Sequence, residues 1–313
     1  MSGVLGAPVI LINQLNNNKN KPSVLLDFIR VLPQYILPQH LLCRVVFYLT
    51  RLESRPWKTF LIRTFIHIFN VDMSIAEKQD VGDYKHFNDF FTRLLKSDTR
   101  PLAIEQEAIL SPVDGTISQI GEIRGDIIIQ AKGHEYSLEQ LLAGCSDWIY
   151  KFSNGKFATL YLSPRDYHRI HMPLGGDLQQ MIYLPGKLFA VNAHTTRVVD
   201  GLFARNERVI NIFETDIGPM AIIMVGAIFV GSMETVWKGQ ITPSSERIFK
   251  TIDYKMETIS LQKGDEMGRF NMGSTVILLF SQDQLSWQPD MQAGRKILMG
   301  EQLGSKIIPT AVA

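Results

Sequence analysis

The stretch Val209-Ile-Asn-Ile-Phe-Glu-Thr-Asp-Ile-Gly-Pro-Met-Ala-Ile-Ile-Met-Val-Gly-Ala-Ile-Phe-Val230 decides the fold. The nearly uncharged run from Ile217 to Met233 falls short of the roughly 18 to 20 residues a membrane-crossing helix needs. Gly218, Pro219, Gly226 and Gly231 interrupt it, so it reads as buried strands. The same texture extends outward. Ile117 to Ile123 and Ile127 to Ala131 flank Gly125 as the arms of a hairpin would, and Phe157 to Leu162, Gln179 to Leu184, Thr258 to Leu261 and Thr275 to Phe280 are strand-like. One helix interrupts them, opened by a Ser137/Gln140 capping box and closed at Gly144. Short strands joined by Gly- and Pro-rich turns, without regular alternation with helices, predict an α+β chain with a mainly antiparallel sheet core.

Upstream the texture changes. Residues 24–70 are helical in pattern, with Pro33, Pro38 and Pro56 ending or kinking helices, which implies three short ones. Six basic residues (Arg30, Arg44, Arg51, Arg55, Lys58, Arg63) face only two acids (Asp27, Glu53). Trp57, Leu61, Phe65 and Ile68 recur at helical spacing beside Phe60 and Phe69. Such a helix either packs on the protein's own core or lies in a membrane interface, and the local charge asymmetry favours the membrane. On that reading Trp57, Phe60 and Phe65 enter the interface while Arg and Lys side chains meet anionic headgroups. Phe87 to Leu95 reads as another short helix. The expected division is an N-terminal helical, membrane-associating module over 1–97 and a β-rich catalytic domain over 98–313, held peripherally on the cytoplasmic face of the cell membrane.

Composition excludes several classes of function. The chain has 313 residues, with 32 basic against 31 acidic, so nothing global points to nucleic acid. Cys43 and Cys145 are too few for a disulfide framework or a cysteine-rich zinc site and suggest a reducing compartment. The first twenty residues hold a short apolar stretch, Val9 to Ile12, with no basic n-region and no cleavage site before Asn16 to Asn18, so no signal peptide is expected.

Three segments carry candidate chemistry: Ser111-Pro-Val-Asp-Gly-Thr116, Ser163-Pro-Arg-Asp-Tyr-His-Arg-Ile-His-Met-Pro173 and Met267-Gly-Arg-Phe-Asn-Met-Gly-Ser-Thr275. Singly, each has an ordinary explanation. Asp114-Gly115 is a turn pair, Gly-Ser-Thr before an apolar run is a strand entry, and His168 and His171 suit a polar loop or a metal pair that lacks a third ligand at recognisable spacing. His168 and His171 share a face in a turn or helix and point oppositely in a strand. His134 lines a pocket or satisfies a buried backbone group.

In this order and spacing, the three segments resemble the phosphatidylserine decarboxylase family. Tyr35 to Pro38, Phe87 to Arg93, Ala131 to His134, Phe203 to Arg208, Val225 to Trp237 and Gly268 to Phe280 also resemble its longer bacterial form. Met272 departs from the family's usual Leu, a swap of similar volume. The resemblance implies self-cleavage between Gly273 and Ser274, with His171 as base, Asp114 orienting it, and His168 acting in decarboxylation. It implies no metal. A serine hydroxyl that attacks the preceding carbonyl gives an ester, and Gly273, lacking a Cβ, permits the sharp backbone bend this needs. β-Elimination from the ester, then hydrolysis, leaves a pyruvoyl group at position 274 and releases ammonia. Its ketone forms a Schiff base with the amine of phosphatidylserine and accepts electrons as carbon dioxide leaves, giving phosphatidylethanolamine. A neighbouring branch acts on ether lipids, but the N-terminal module and extended motifs resemble the bacterial form. The long and short chains are expected to stay associated, and a homo-oligomer is compatible with this reading.

Two rivals differ in observable ways. A serine hydrolase built on Asp114, His171 and Ser274 would stay one chain, and Ser274 lacks the Gly-x-Ser-x-Gly elbow. A non-catalytic lipid-binding module would bind lipid without cutting itself. Intact-mass spectrometry under denaturing conditions should therefore resolve fragments of 273 and 40 residues from the 313-residue chain, about 31 and about 4.5 kDa, the shorter with a blocked N-terminus. A fully active single uncut chain would falsify the self-cleavage reading.

Overall fold

The computed structural model describes residues 24–131, 133–228, 232–244 and 246–307; the Val9 to Ile12 stretch and the Asn16 to Asn18 run lie outside them. Prolines set the helical part. Pro33 and Pro56 sit in the first turns of α2 (Pro33–Ile36) and α4 (Arg55–Phe69), where a missing N–H leaves no bond unmade, and Pro38 precedes α3 (Gln39–Leu49). With α1 (Val24–Val31) this makes four helices where three were expected. Among the described residues no helix is long and apolar enough to cross a membrane. α5 (Phe87–Phe91) stops short of Leu95, because Leu95 is drawn into a backbone bridge with Ala76.

α4 divides its apolar residues between two environments. Ile62 is buried, and the Phe65 ring packs on Phe87, Phe90 and Phe91 with centroids 5.2, 6.1 and 5.7 Å away. Phe60 and Ile68 remain 62% and 66% exposed. Phe65 therefore belongs to the protein interior. Lys58 is buried too, donating to the carbonyls of Gly82 (3.0 Å) and Tyr84, so it braces a loop and does not reach for headgroups.

The larger part is antiparallel sheet. Nine strands form the main sheet in the order β12 (Lys250–Asp253), β7 (Gly176–Leu184), β8 (Arg208–Thr215), β9 (Gly218–Val225), β15 (Thr275–Phe280), β5 (Lys156–Tyr161), β2 (Gly115–Glu122) and β17 (Lys296–Ile297), with β13 (Ser260–Leu261) also on β7. A second sheet runs β11 (Gly239–Gln240), β10 (Met233–Thr235), β14 (Glu266–Phe270) and β6 (Arg169–His171). A third runs β1 (Ala108–Leu110), β18 (Gln302–Lys306) and β16 (Leu285–Trp287). β3 (Ile127–Ala131) pairs with β4 (His134–Ser137) and not with β2, so the expected hairpin about Gly125 is only an Arg124–Ile127 bridge. The capping box of Ser137 and Gln140 is present and opens α6 (Leu138–Leu141), which leads to α7 (Ser146–Phe152). Two further short helices, α8 (Ala193–Thr196) and α9 (Leu202–Arg205), lie between β7 and β8.

In the main sheet β9, β15 and β5 are neighbours, and in the second sheet β10, β14 and β6 are neighbours in the same order. The chain thus crosses between the two sheets three times side by side: β5 to β6, β9 to β10, and β14 to β15. Such corners need bends or bulges, and they gather loop residues from distant parts of the sequence. The central strands are buried on both faces and read as continuous apolar runs, Thr275–Phe280 being wholly buried. A second, smaller cluster joins Ile62, Val71, Tyr84, Phe87, Phe90 and Phe91, and Met272 packs against both cores. Phe90→Ala should therefore lower unfolding stability by about 3 to 5 kcal/mol, measured by urea denaturation; a loss below about 1 kcal/mol would mean that the helical cluster does not share the global transition.

Candidate active site

The β14–β15 corner carries the Asn271–Ser274 segment. Ser274 is fully buried, its carbonyl accepts from the Leu162 N–H (2.9 Å), and its Oγ has no protein partner. Gly273 sits in a tight place. A Cβ there would lie 3.3 Å from the His168 ring and 3.3 Å from the Leu162 carbonyl oxygen, and Gly273 is absent from the residues with positive φ. Asn271 pins the corner: its N–H donates to the Ser232 carbonyl (3.0 Å) and its Nδ2 to Ser232 Oγ (2.6 Å) and Glu234 Oε1 (2.8 Å). Its Oδ1 accepts from Asn88 Nδ2 of α5 (2.8 Å).

The β5–β6 corner brings His168 to the same point. Its ring is buried, stacked on Phe91 at 4.2 Å, and neither ring nitrogen has a hydrogen-bond partner. The backbones of Ser163 and Pro164 approach the ring without reaching hydrogen-bond geometry. Burial, and secondly the Arg93 cation, push the imidazole down to about 3. Arg93 is itself buried and donates from Nη2 to the Arg165 carbonyl (3.1 Å), fixing the turn that carries His168. Asp166 closes that turn by accepting from the N–H and Oγ of Ser163 (2.6 and 2.7 Å).

His171 lies three residues on in an extended strand and is turned away from His168, as strand alternation requires. Its Nδ1 meets the Gly264 carbonyl (2.7 Å), which can only accept, so Nδ1 carries the proton and Nε2 accepts from the Tyr167 hydroxyl (3.1 Å). Burial lowers its pKa. Asp114 is held by a bidentate pair from Arg100 Nε and Nη2 (2.8 and 2.5 Å) and by the Met299 N–H (2.9 Å). A Cβ on Gly115 would sit 2.4 Å from the Tyr161 carbonyl oxygen, so only glycine follows Asp114 against β5. The Pro112 carbonyl accepts from the His171 N–H (2.9 Å), bringing the two segments together. Among the described residues, however, no hydrogen bond joins the side chain of His171 to Asp114 or to Ser274. The described geometry brings together Ser274, Gly273 and His168, with Asp114 and His171 forming an adjacent but separate set. His134 meets Asp200 at the surface and does not line the site. Among the described residues no group of three or more His, Cys, Asp or Glu side chains could hold a metal.

A cavity of about 240 Å³ abuts Gly273, lined by Phe65, Phe69 and Phe91 from the helices and by Leu162, Met272 and Ala227 from the three corners. Asn206 secures its far wall, accepting from the Phe189 N–H (3.1 Å) and donating to the carbonyls of Phe189 and Gly226 (2.8 Å each). The buried Arg208 guanidinium is satisfied by carbonyls of Gln140, Leu141, Ala204 and Asn206, and burial lowers it to about 10. The Phe203 to Arg208 motif is thus structural. The cavity is an apolar chamber with Gly273 in its wall, and the buried Ser274 hydroxyl and the neutral His168 ring lie next to Gly273, outside its lining.

A family model described as phosphatidylserine decarboxylase matches residues 87–305, and a second, described as PSD, matches residues 29–70. The chain belongs to the phosphatidylserine decarboxylase family. Relatives named phosphatidylserine decarboxylase proenzyme include that of Nitrosococcus oceani, 52% identical over 90% of this chain and 92% of its own. Those of Saccharophagus degradans (50%, over 86% of this chain and 94% of its own) and Psychromonas ingrahamii (46%, over 90% and 99%) are also similar. Phosphatidylserine decarboxylase family membership covers the helical segment as well as the sheets, so both belong to the unit that carries the site.

The depressed His168 makes a prediction with a definite sign. Its ordinary value is 6.5 and its folded value is lower, so protonation favours the unfolded chain. The stability it contributes is complete above about pH 6.5 and is lost as pH falls toward 3. In an uncut Ser274→Ala background, stability should fall between pH 6 and 4, and adding His168→Asn should flatten that slope by up to about 1.4 kcal/mol per pH unit. Identical slopes with and without His168 would show that the ring is not held neutral by burial.

Proposed function

We propose that this protein decarboxylates phosphatidylserine to phosphatidylethanolamine at a pyruvoyl group made from its own Ser274 after self-cleavage. The observation that carries this reading is the fully buried, unpartnered Ser274 hydroxyl directly after Gly273, the residue that approaches the His168 ring and forms part of the wall of an apolar cavity. A buried hydroxyl without a partner costs about 1 to 3 kcal/mol; Thr159, Thr235, Thr275 and Ser281 share that state, and Ser274 is the one that directly follows Gly273 at the His168 ring. The residue present fits the group. A cut between Gly273 and Ser274 would leave position 274 as a free end directly before β15, next to the residue that lines the cavity. The pyruvoyl ketone supplies the electron sink for loss of carbon dioxide.

The roles assigned to the side chains follow the family pattern. Ser274 is the nucleophile of maturation, His171 with Asp114 accepts its proton, and His168 returns a proton to the substrate carbon in turnover. The contact between His168 and Gly273 favours a second reading, in which His168 also takes the Ser274 proton. At about 240 Å³ the cavity is below the ~300 Å³ of pockets that enclose a drug-sized ligand, so it takes the headgroup and leaves the acyl chains outside. Exposed apolar side chains on the helices, among them Leu41, Tyr48, Phe60 and Ile68, receive those chains in a membrane interface. We read the attachment as peripheral and on the cytoplasmic face, with the β15 pairings to β5 and β9 available to keep the cut chains together.

The two histidines are separated by paired measurements. Ser274→Ala should abolish cleavage. His171→Ala and Asp114→Ala should slow it strongly, by roughly 100-fold or more for loss of a general base. His168→Ala should still yield both fragments and a carbonyl-reactive short chain, yet release carbon dioxide at a small fraction of the normal rate. If His168→Ala blocks cleavage as fully as Ser274→Ala while His171→Ala matures normally, the second reading replaces the first.

A further inference from the structure

The helices and the loop after β7 enclose a second cavity, of about 250 Å³, which shares no lining residue with the cavity at Gly273 and is unused by the chemistry above. Its lining includes Tyr35, Leu37, His40, Leu41 and Lys187 and no acidic residue. The two glutamines at its rim are already engaged: Gln34 Oε1 accepts from the Ala190 N–H and Gln39 Oε1 from the Leu188 N–H (2.8 Å each). That leaves the cationic side chains. His40 Nε2 and Arg247 Nη2 both donate to the Gly186 carbonyl (3.0 and 3.1 Å), which draws Arg247 in from the loop before β12. Arg44 lies one helical turn beyond His40. Burial and the three cations Arg247, Lys187 and Arg44 all disfavour charging of the His40 ring.

This positive charge is not neutralised from within. Among the described residues Arg44, Lys187 and Arg247 form no ion pair. The acids nearby are occupied: Glu207 accepts from the Tyr183 hydroxyl (2.6 Å) and burial raises its pKa, and Glu246 pairs with Lys250 (2.8 Å). The rim is also apolar. Tyr35, Leu37 and Leu41 are exposed, and Ile248 and Phe249, directly after Arg247, are 56% and 51% exposed. A cationic crevice ringed by exposed apolar side chains matches the boundary of a bilayer, where phosphates lie just above acyl chains.

We propose that the crevice bounded by His40, Arg44, Lys187 and Arg247 binds the phosphodiester of an anionic membrane phospholipid at a site separate from the catalytic cavity, with Ile248 and Phe249 entering the acyl region beside it. The inference rests on the membrane reading given above. The site holds a resident lipid at the edge of the helical module and so orients the catalytic cavity toward the bilayer.

The test uses the matured full-length protein and vesicles of phosphatidylcholine with or without phosphatidylglycerol, an anionic lipid that is not the substrate. Lys187→Ala/Arg247→Ala should weaken binding to phosphatidylglycerol vesicles at least tenfold more than the control doublet Arg55→Ala/Arg63→Ala, which removes the same charge elsewhere in the helical module. Lys187→Arg/Arg247→Lys should stay within about threefold of the parent. Turnover of a detergent-dispersed short-chain phosphatidylserine should be unchanged in all three, which also reports correct folding. Equal losses in the crevice and control doublets would overturn the site in favour of a diffuse surface charge. Displacement from vesicles by micromolar glycerophosphoglycerol or inorganic phosphate would overturn the lipid as its ligand. A Phe60→Ser/Ile68→Ser doublet that binds every vesicle like the parent would instead overturn the membrane reading itself.

Discussion

Three neighbouring strands leave one sheet and enter another at the same level, and the site depends on that crossing. Strands that run on in one sheet satisfy each other's backbone, whereas strands that change sheets leave N–H and C=O groups at the corner that must find other partners. Here they find each other: the Leu162 N–H meets the Ser274 carbonyl, the Asn271 N–H meets the Ser232 carbonyl, and the Phe270 N–H meets the His168 carbonyl. These bonds fix the three corners side by side, which is why residues over a hundred positions apart in sequence meet at Gly273.

The helical segment is locked into this arrangement and is not a separable appendage. Phe91 forms the floor under His168, Asn88 reaches Asn271, and Arg93 holds the turn before His168. On the other wall, Asp27 of α1 binds His194 (2.5 Å) and Arg197 (2.8 Å), while Gln34 and Gln39 bind the loop at Leu188 and Ala190. α4, which leaves Phe60 and Ile68 exposed, therefore also lines the cavity through Phe65 and Phe69, while α2 and α3 hold the loop at Leu188 to Ala190 that continues into its wall. Met272, packed against both cores, joins them one residue before Gly273. A shift of the helices against the sheets would move the floor of the site as well as its rim.

The sheet core was legible because buried strands announce themselves as apolar runs cut by glycine and proline, as in Val209 to Phe213 and Thr275 to Phe280. The Ser137 capping box was legible for a similar local reason. The hairpin about Gly125 was misread because pairing partners are chosen by the whole sheet: β5 offers β2 a full ladder from Thr116 to Glu122, leaving β3 to β4. Phe65 and Lys58 were misread because helical spacing shows which residues share a face but not what covers it, and Phe87 and Tyr84 lie over twenty residues away. The three chemical segments were legible only as a constellation. Their supports, Arg100 on Asp114, Tyr167 and Gly264 on His171, and Phe91 on His168, carry no local signature, since each is one common residue brought near by the fold.

Gly273 shows how the sequence can suggest the right residue for a different reason. A glycine before a nucleophilic serine suggests a strained turn, yet the backbone at Gly273 is not left-handed, and a Cβ there would stand 3.3 Å from the His168 ring and from the Leu162 carbonyl oxygen, so that these neighbours would have to give slightly. Ser274 and His168 each bury polar atoms without partners, at a cost that packing by Phe91 and the β15 ladder offsets. A hydroxyl and an imidazole in that state have no competing hydrogen bonds to break before a proton moves. The same burial that makes this corner expensive to fold leaves both groups without partners.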